Sequence, residues 1–139
     1  MKIAWGSDQS DHPVVRRLEE VLIELGHDIH SVPAHGGDWV DVGHQVGNAV
    51  ACRRARRGVA CCSTGTGVAM AANKIPGAHA AVCSDREPAE QVRLFNHANV
   101  LALSLERTAP EDVEEIVKVW LRTPDGAEQR DSVDRLETR

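Results

Sequence analysis

Tyrosine is absent from this chain, and its aromatic residues are one phenylalanine and three tryptophans. So sparse a set argues against a surface that binds nucleic acid by stacking bases, and a formal charge of −5 points the same way. No apolar run approaches the length of a membrane span. The first residues also lack the charged-then-apolar order of a secretory signal, so a cytoplasmic protein with no membrane partner is expected. The four cysteines, Cys52, Cys61, Cys62 and Cys83, lack the paired C-x-x-C spacing of a zinc site. They are expected to be free thiols in a reducing compartment, with no bound metal and no cofactor. Neither an internal repeat nor a low-complexity segment is present.

At 139 residues the chain suits one domain, 1–139, long enough to bury a core of its own. The run RRARR at 53–57 has two readings: a basic patch for an anion, or the solvated last turn of a helix, where cations suit the dipole. The second is the expectation.

Short apolar runs alternate with helical periodicity. KIAWGS (2–7) reads as a strand, and SDQSDHP then supplies turn chemistry, with Ser10 or Asp11 as helix cap and Pro13 in the first turn. Val14, Val15, Leu18, Val21, Leu22 and Leu25 recur at helical spacing, and Gly26 stands where a helix stops. HDIHSVP (27–33) is a second strand. Asp38 or Asp41 begins a helix that runs to the arginines and stops at Gly58. VACCS (59–63), HAAVCS (79–84) and NVLALS (99–104) are further strands, followed by helical stretches near 87–96 and 110–122. The polar tail after Pro124 predicts a loop and a short helix. Such alternation predicts a three-layer α/β sandwich with a mostly parallel sheet, in which ligands bind beyond the carboxyl ends of the strands.

The stretch CCSTGTGVAMAANK (61–74) lies at one such end. Gly65 and Gly67 let several backbone N–H groups aim at one point ahead of a helix, and Ser63, Thr64 and Thr66 add hydroxyls. That is a cradle for an anion, including an oxyanion formed in catalysis. It is not a Walker loop, which ends Gly-Lys-Ser/Thr. Nor is it the dinucleotide G-x-G-x-x-G, whose third glycine is here Met70. A thiol beside a helix N-terminus suits a nucleophile or a general base, so Cys62 is a candidate for either, against the plainer reading of a small buried hydrophobe. Cys61 should point to the other face of the strand, into packing, which makes a redox pair with Cys62 strained.

These residues carry a resemblance. KIAWGSD, CCSTGTGVAMAANKIPGAHAAVCSD and FNHANVLALS together resemble the ribose-5-phosphate isomerase B and galactose-6-phosphate isomerase family over nearly the whole length. The resemblance implies a Rossmann-like five-stranded fold and a metal-free homodimer, or a tetramer, with active sites shared between subunits. It implies interconversion of aldose and ketose sugar phosphates through a cis-enediolate, as in pentose phosphate metabolism. Cys62 matches the base and Thr64 the residue that helps ring opening. The turn Gly65, Thr66, Gly67 matches the oxyanion site, and Asp8 and Asn96 match sugar contacts. Gln9 stands where the family has histidine, and so does Phe95, leaving His97 as a candidate to replace the missing acid. His12 and His44 are further candidates, and Trp39 and Phe95 are candidates for stacking on a sugar. Ungapped, the family's phosphate-binding arginines fall on Glu106, Glu128 and Ser132, with Arg107, Arg130 and Arg135 close by. The expectation is therefore an aldose–ketose isomerase whose substrate is altered at its phosphate end, with the tail of about 123–139 packed on a partner subunit. Two alternatives stand beside it: a non-catalytic sugar- or anion-binding homologue, and an epimerase using the same enediolate.

Overall fold

A computed structural model describes residues 1–137. The last two positions of the tail, 138 and 139, lie outside the described residues. The elements are β1 (Lys2–Ser7), α1 (Pro13–Glu24), β2 (Asp28–Ser31), α2 (Trp39–Ala51), β3 (Arg57–Cys62) and α3 (Thr66–Asn73). They continue with β4 (Ala80–Val82), α4 (Arg86–Asn96), β5 (Val100–Ser104), a 3₁₀ turn at Pro110–Asp112, α5 (Val113–Arg122) and α6 (Arg130–Arg135). The strands form one sheet in the order β2-β1-β3-β5-β4, and every pairing is parallel. Parallel strands need crossovers, and the helices that supply them cover both faces. The apolar sides of α1 and α5, with Ala89 of α4, pack on one face, and α2 and α3 pack on the other. None of the described helices is long and apolar enough to cross a membrane.

The central strand β3 is buried along almost its entire length, as its continuous apolar run requires. Cys61 and Cys62 therefore face opposite layers, Cys61 toward α1 and α5, Cys62 toward α2 and α3. The second layer is thin because glycine lets its helices touch. A Cβ on Gly43 would stand 2.6 Å from the Ala71 Cβ and 2.7 Å from the Val68 carbonyl oxygen.

Three local expectations are corrected. The cap of α1 is His12, whose Nδ1 accepts the Val14 N–H at 3.2 Å, because Pro13 occupies the first helical position and places the cap directly before it. The arginines 53–57 do not form a helical turn. Helix α2 ends at Ala51, Arg53 takes a left-handed φ of 62°, and Arg57 already belongs to β3. Gly58 is a strand residue and not a helix stop, since its missing side chain leaves room for Val46 of α2, whose Cγ1 would lie 2.5 Å from a Cβ there.

Candidate active site

The carboxyl ends of β1, β3 and β5 meet at one point. Beyond Cys62 the chain turns through Gly65, whose φ of 76° a side chain would resist, and a Cβ there would stand 3.0 Å from backbone atoms of Leu103 and Ser104. The turn is closed by the Gly65 N–H donating to the Cys62 carbonyl at 3.2 Å. Helix α3 then starts at Thr66 with no side chain capping it. The first N–H groups of a helix have no partner within the helix, so this end presents donors and the positive pole of the dipole.

Ser63 is held from two sides. Its hydroxyl accepts from Gln9 Nε2 at 2.9 Å, and its carbonyl accepts from Ser104 Oγ at 2.8 Å and from the Glu106 N–H at 3.1 Å. Thr64 and Thr66 share a hydrogen bond between their hydroxyls at 2.7 Å and are both exposed. Cys62 lies below them, 5 % exposed, at the edge of the apolar layer under α2 and α3. Trp39 leans over the turn: a Cβ on Gly67 would stand 2.7 Å from its Cε3. Trp39 keeps 43 % of its surface exposed, so it forms a wall of the cradle as well as packing.

Asp8 has one carboxylate oxygen buried without a hydrogen-bond partner, and burial, helped by the charge of Asp38, raises its pKa above the ordinary carboxylate range. Burial likewise drives the Cys61 thiol far up and Cys83 up to about 11, which suits both to packing rather than proton transfer. His35 belongs to this corner too, accepting the Ser7 N–H on Nδ1 at 3.1 Å with its ring set edge-on to Trp5. No sequence signal marked it, because it lies in a loop 28 residues from its partner.

One chain thus gathers Asp8, Gln9, Cys62, Ser63, Thr64, Gly65, Thr66 and Gly67. Arg107 adjoins them through its N–H, which donates to Ser104 Oγ at 3.1 Å, and the carboxylate-bearing Glu106 is its neighbour. Asn96, His97, Arg130 and Arg135 are not brought to this point. Helix α4 runs back to the opposite edge of the sheet, where Asn96 and His97 precede β5. The five residues of β5 alone separate the two ends by about 13 Å. There His97 is the left-handed C-cap of α4, with Nε2 2.6 Å from the Gly126 carbonyl oxygen. Helix α6 is tied to that same edge, since Glu137 just beyond it bonds the Gly77 N–H and His79 before β4.

Residues 3–137 match the family model described as Ribose/Galactose Isomerase. Among curated relatives, the chain is 36% identical over 126 residues to the DNA damage-repair/toleration protein DRT102 of Arabidopsis thaliana, covering 89% of this chain but only 40% of that longer protein. It is 33% identical to ribose-5-phosphate isomerase B of Escherichia coli K12, over 86% of this chain and 83% of the relative. The solved structure of Clostridium thermocellum ribose-5-phosphate isomerase B superposes with a TM-score of 0.91 at 33% identity, covering 99% of this chain and 95% of that one. An all-parallel sheet, an uncapped α3 behind a glycine turn and these matches agree: the chain belongs to the ribose/galactose isomerase family of sugar-phosphate isomerases.

Proposed function

We propose that the protein interconverts an aldose and a ketose at the α3 cradle, with Cys62 as the base and a substrate altered at its phosphate end. The observation that supports this reading is the uncapped N-terminus of α3, set directly after a strand end that carries a thiol and flanked by two threonine hydroxyls. Proton abstraction beside a carbonyl needs a positioned base and donors for the oxygen that gains charge. Cys62 takes the proton from C2 of the open-chain aldose, and the electrons move onto the C1 oxygen. The N–H groups of the turn stabilise the resulting enediolate. The proton returns to C1 while the hydrogen on O2 passes to O1, leaving a ketone at C2. Thr64 assists ring opening, and Asp8, Gln9 and Ser63 hold the sugar hydroxyls.

Among the described residues the cradle is poor in cations: Asp8, Asp38 and Glu106 lie around it and Arg107 is the arginine beside it. A substrate with a displaced phosphate, or with none, fits that balance. A second copy of the chain completes the site in this reading, bringing its Asn96 corner and its tail against Cys62. The test is deuterium incorporation from solvent during turnover of a panel of pentoses and tetroses, with and without phosphate. Cys62→Ser should abolish incorporation while ligand binding stays nearly intact, and undiminished incorporation in that variant would sink the assignment.

A binding protein without turnover is the second reading, favoured by two observations. Phe95 stands where the family resemblance implies a histidine, and the Nε2 of His97 is already turned to Gly126. Binding without exchange across the whole panel would select it. An epimerase would exchange the same proton and differ in product stereochemistry.

A further inference from the structure

The arginines that interrupt α2 and β3 gather at the end of the sheet remote from Cys62. Arg53, Arg54, Arg56 and Arg57, joined by Lys2 at the start of β1, border an open cavity of about 620 Å³. Among the described residues one carboxylate reaches it, Asp125, which is engaged by Nη2 of Arg93. Arg93 is 1% exposed, and its other donors are spent on the carbonyls of Ala98 and Thr123. The other cations have no such partner. Among the described residues, Lys2, Arg53, Arg54, Arg56 and Arg57 form no ion pair. Nε of Arg57 is buried with nothing to donate to, and its Nη1 reaches only the Arg56 carbonyl at 3.2 Å.

This concentration runs against the chain's own charge, which is −5 overall with 21 acidic residues available to pair. A buried charged donor without a partner is costly, and five cations on one rim repel each other. The strain registers on Arg57, whose pKa is lowered to about 10 by burial and by the neighbouring charge of Arg93. An anion with several oxygens relieves both terms. Guanidinium forks match phosphate oxygens in pairs, which distinguishes this rim from a lysine surface. Among the described residues no phenylalanine, tyrosine or tryptophan lines the cavity, and its lining is dominated by cations that suit an anion.

We propose that this cavity is a second anion site, at the sheet edge opposite Cys62, which takes a small molecule bearing more than one phosphate. Its argument does not depend on Cys62 acting as a base. Pyrophosphate is the probe, with inorganic phosphate for comparison, followed by calorimetric titration of the full chain. Pyrophosphate should bind more tightly than phosphate, and the variant Arg53→Gly/Arg54→Gln/Arg56→Gln should weaken it by about tenfold or more, some 1.4 kcal/mol. These three side chains are exposed and glycine suits the left-handed φ at 53, so the variant keeps its fold, which circular dichroism checks. Arg107→Gln, which removes the cation beside the Cys62 cradle, should leave the pyrophosphate affinity unchanged. A local reporter is at hand in exposed Cys52, whose Sγ accepts from Arg54 Nε at 3.0 Å. Pyrophosphate that draws Arg54 away should slow labelling of that thiol. Absence of pyrophosphate binding at about 1 mM, equal affinity in the triple variant, or a matching loss in Arg107→Gln would each overturn the proposal.

Discussion

Gln9 Nε2 donates to Ser63 Oγ at 2.9 Å, joining the end of β1 to the end of β3 across the mouth of the cradle. The family resemblance implies a histidine at position 9, and here an amide clamp stands in its place. The bond is exposed, and removing it should cost stability less than about 1 kcal/mol. Gln9→Ala is therefore expected to leave the melting temperature almost unchanged and to lower kcat/KM by loosening Ser63. Equal kcat/KM in the variant would show that the clamp is incidental.

Gly67 and Trp39 form a second pair that can be tested by substitution. Gly67→Ala places a methyl in the indole, so the ring must move, at about 1–3 kcal/mol for overpacking. Trp39→Ala opens that space, and the double variant should recover much of the loss. Urea unfolding of the four proteins gives the coupling energy; additive losses would mean that the indole is not what the methyl meets.

The contact of α2 with α3 sets the height of the cradle. Gly43→Ala drives a Cβ against Ala71 and the Val68 carbonyl, and it should destabilise the fold by about 1–3 kcal/mol. Because α3 carries the proposed oxyanion donors, turnover should fall more than the loss of folded protein explains. A rate that merely tracks the folded fraction would separate the helix position from catalysis.

Asp8 gives a pH signature. Its folded pKa is raised above the ordinary 3.8, so the folded protein holds this proton more tightly than the unfolded chain. The contribution to stability is fully present below 3.8 and is lost as pH rises through the folded value. Asp8→Asn cannot titrate, so its melting temperature should decline less than that of the parent across that window. Parallel curves for the two proteins would refute a raised Asp8.

Much of the fold was legible because the apolar runs are short and bounded. The strands around Trp5, Val59 and Leu101 and the helix from Val14 to Leu22 each follow one period cleanly. The failure at RRARR has a physical cause. Helix and loop both accept solvated arginines, and only the closeness of β3 to α2 forces the chain to leave the helix at Ala51 and enter the strand at Arg57. His12 escaped as a cap because serine and aspartate beside it are better cap residues in isolation.

Sequence alone determined the chemistry available at the cradle: a thiol, hydroxyls and glycines between an apolar strand and a helix, in an order specific enough to indicate the family. That information is local, since neighbours along the chain remain neighbours in the turn. Tertiary structure decided what faces the thiol and what does not. The parallel crossovers carry α4 and the tail back to the far edge, away from Cys62 and toward the arginines. No local signal encodes that distance, because it arises from the direction in which each strand enters the sheet.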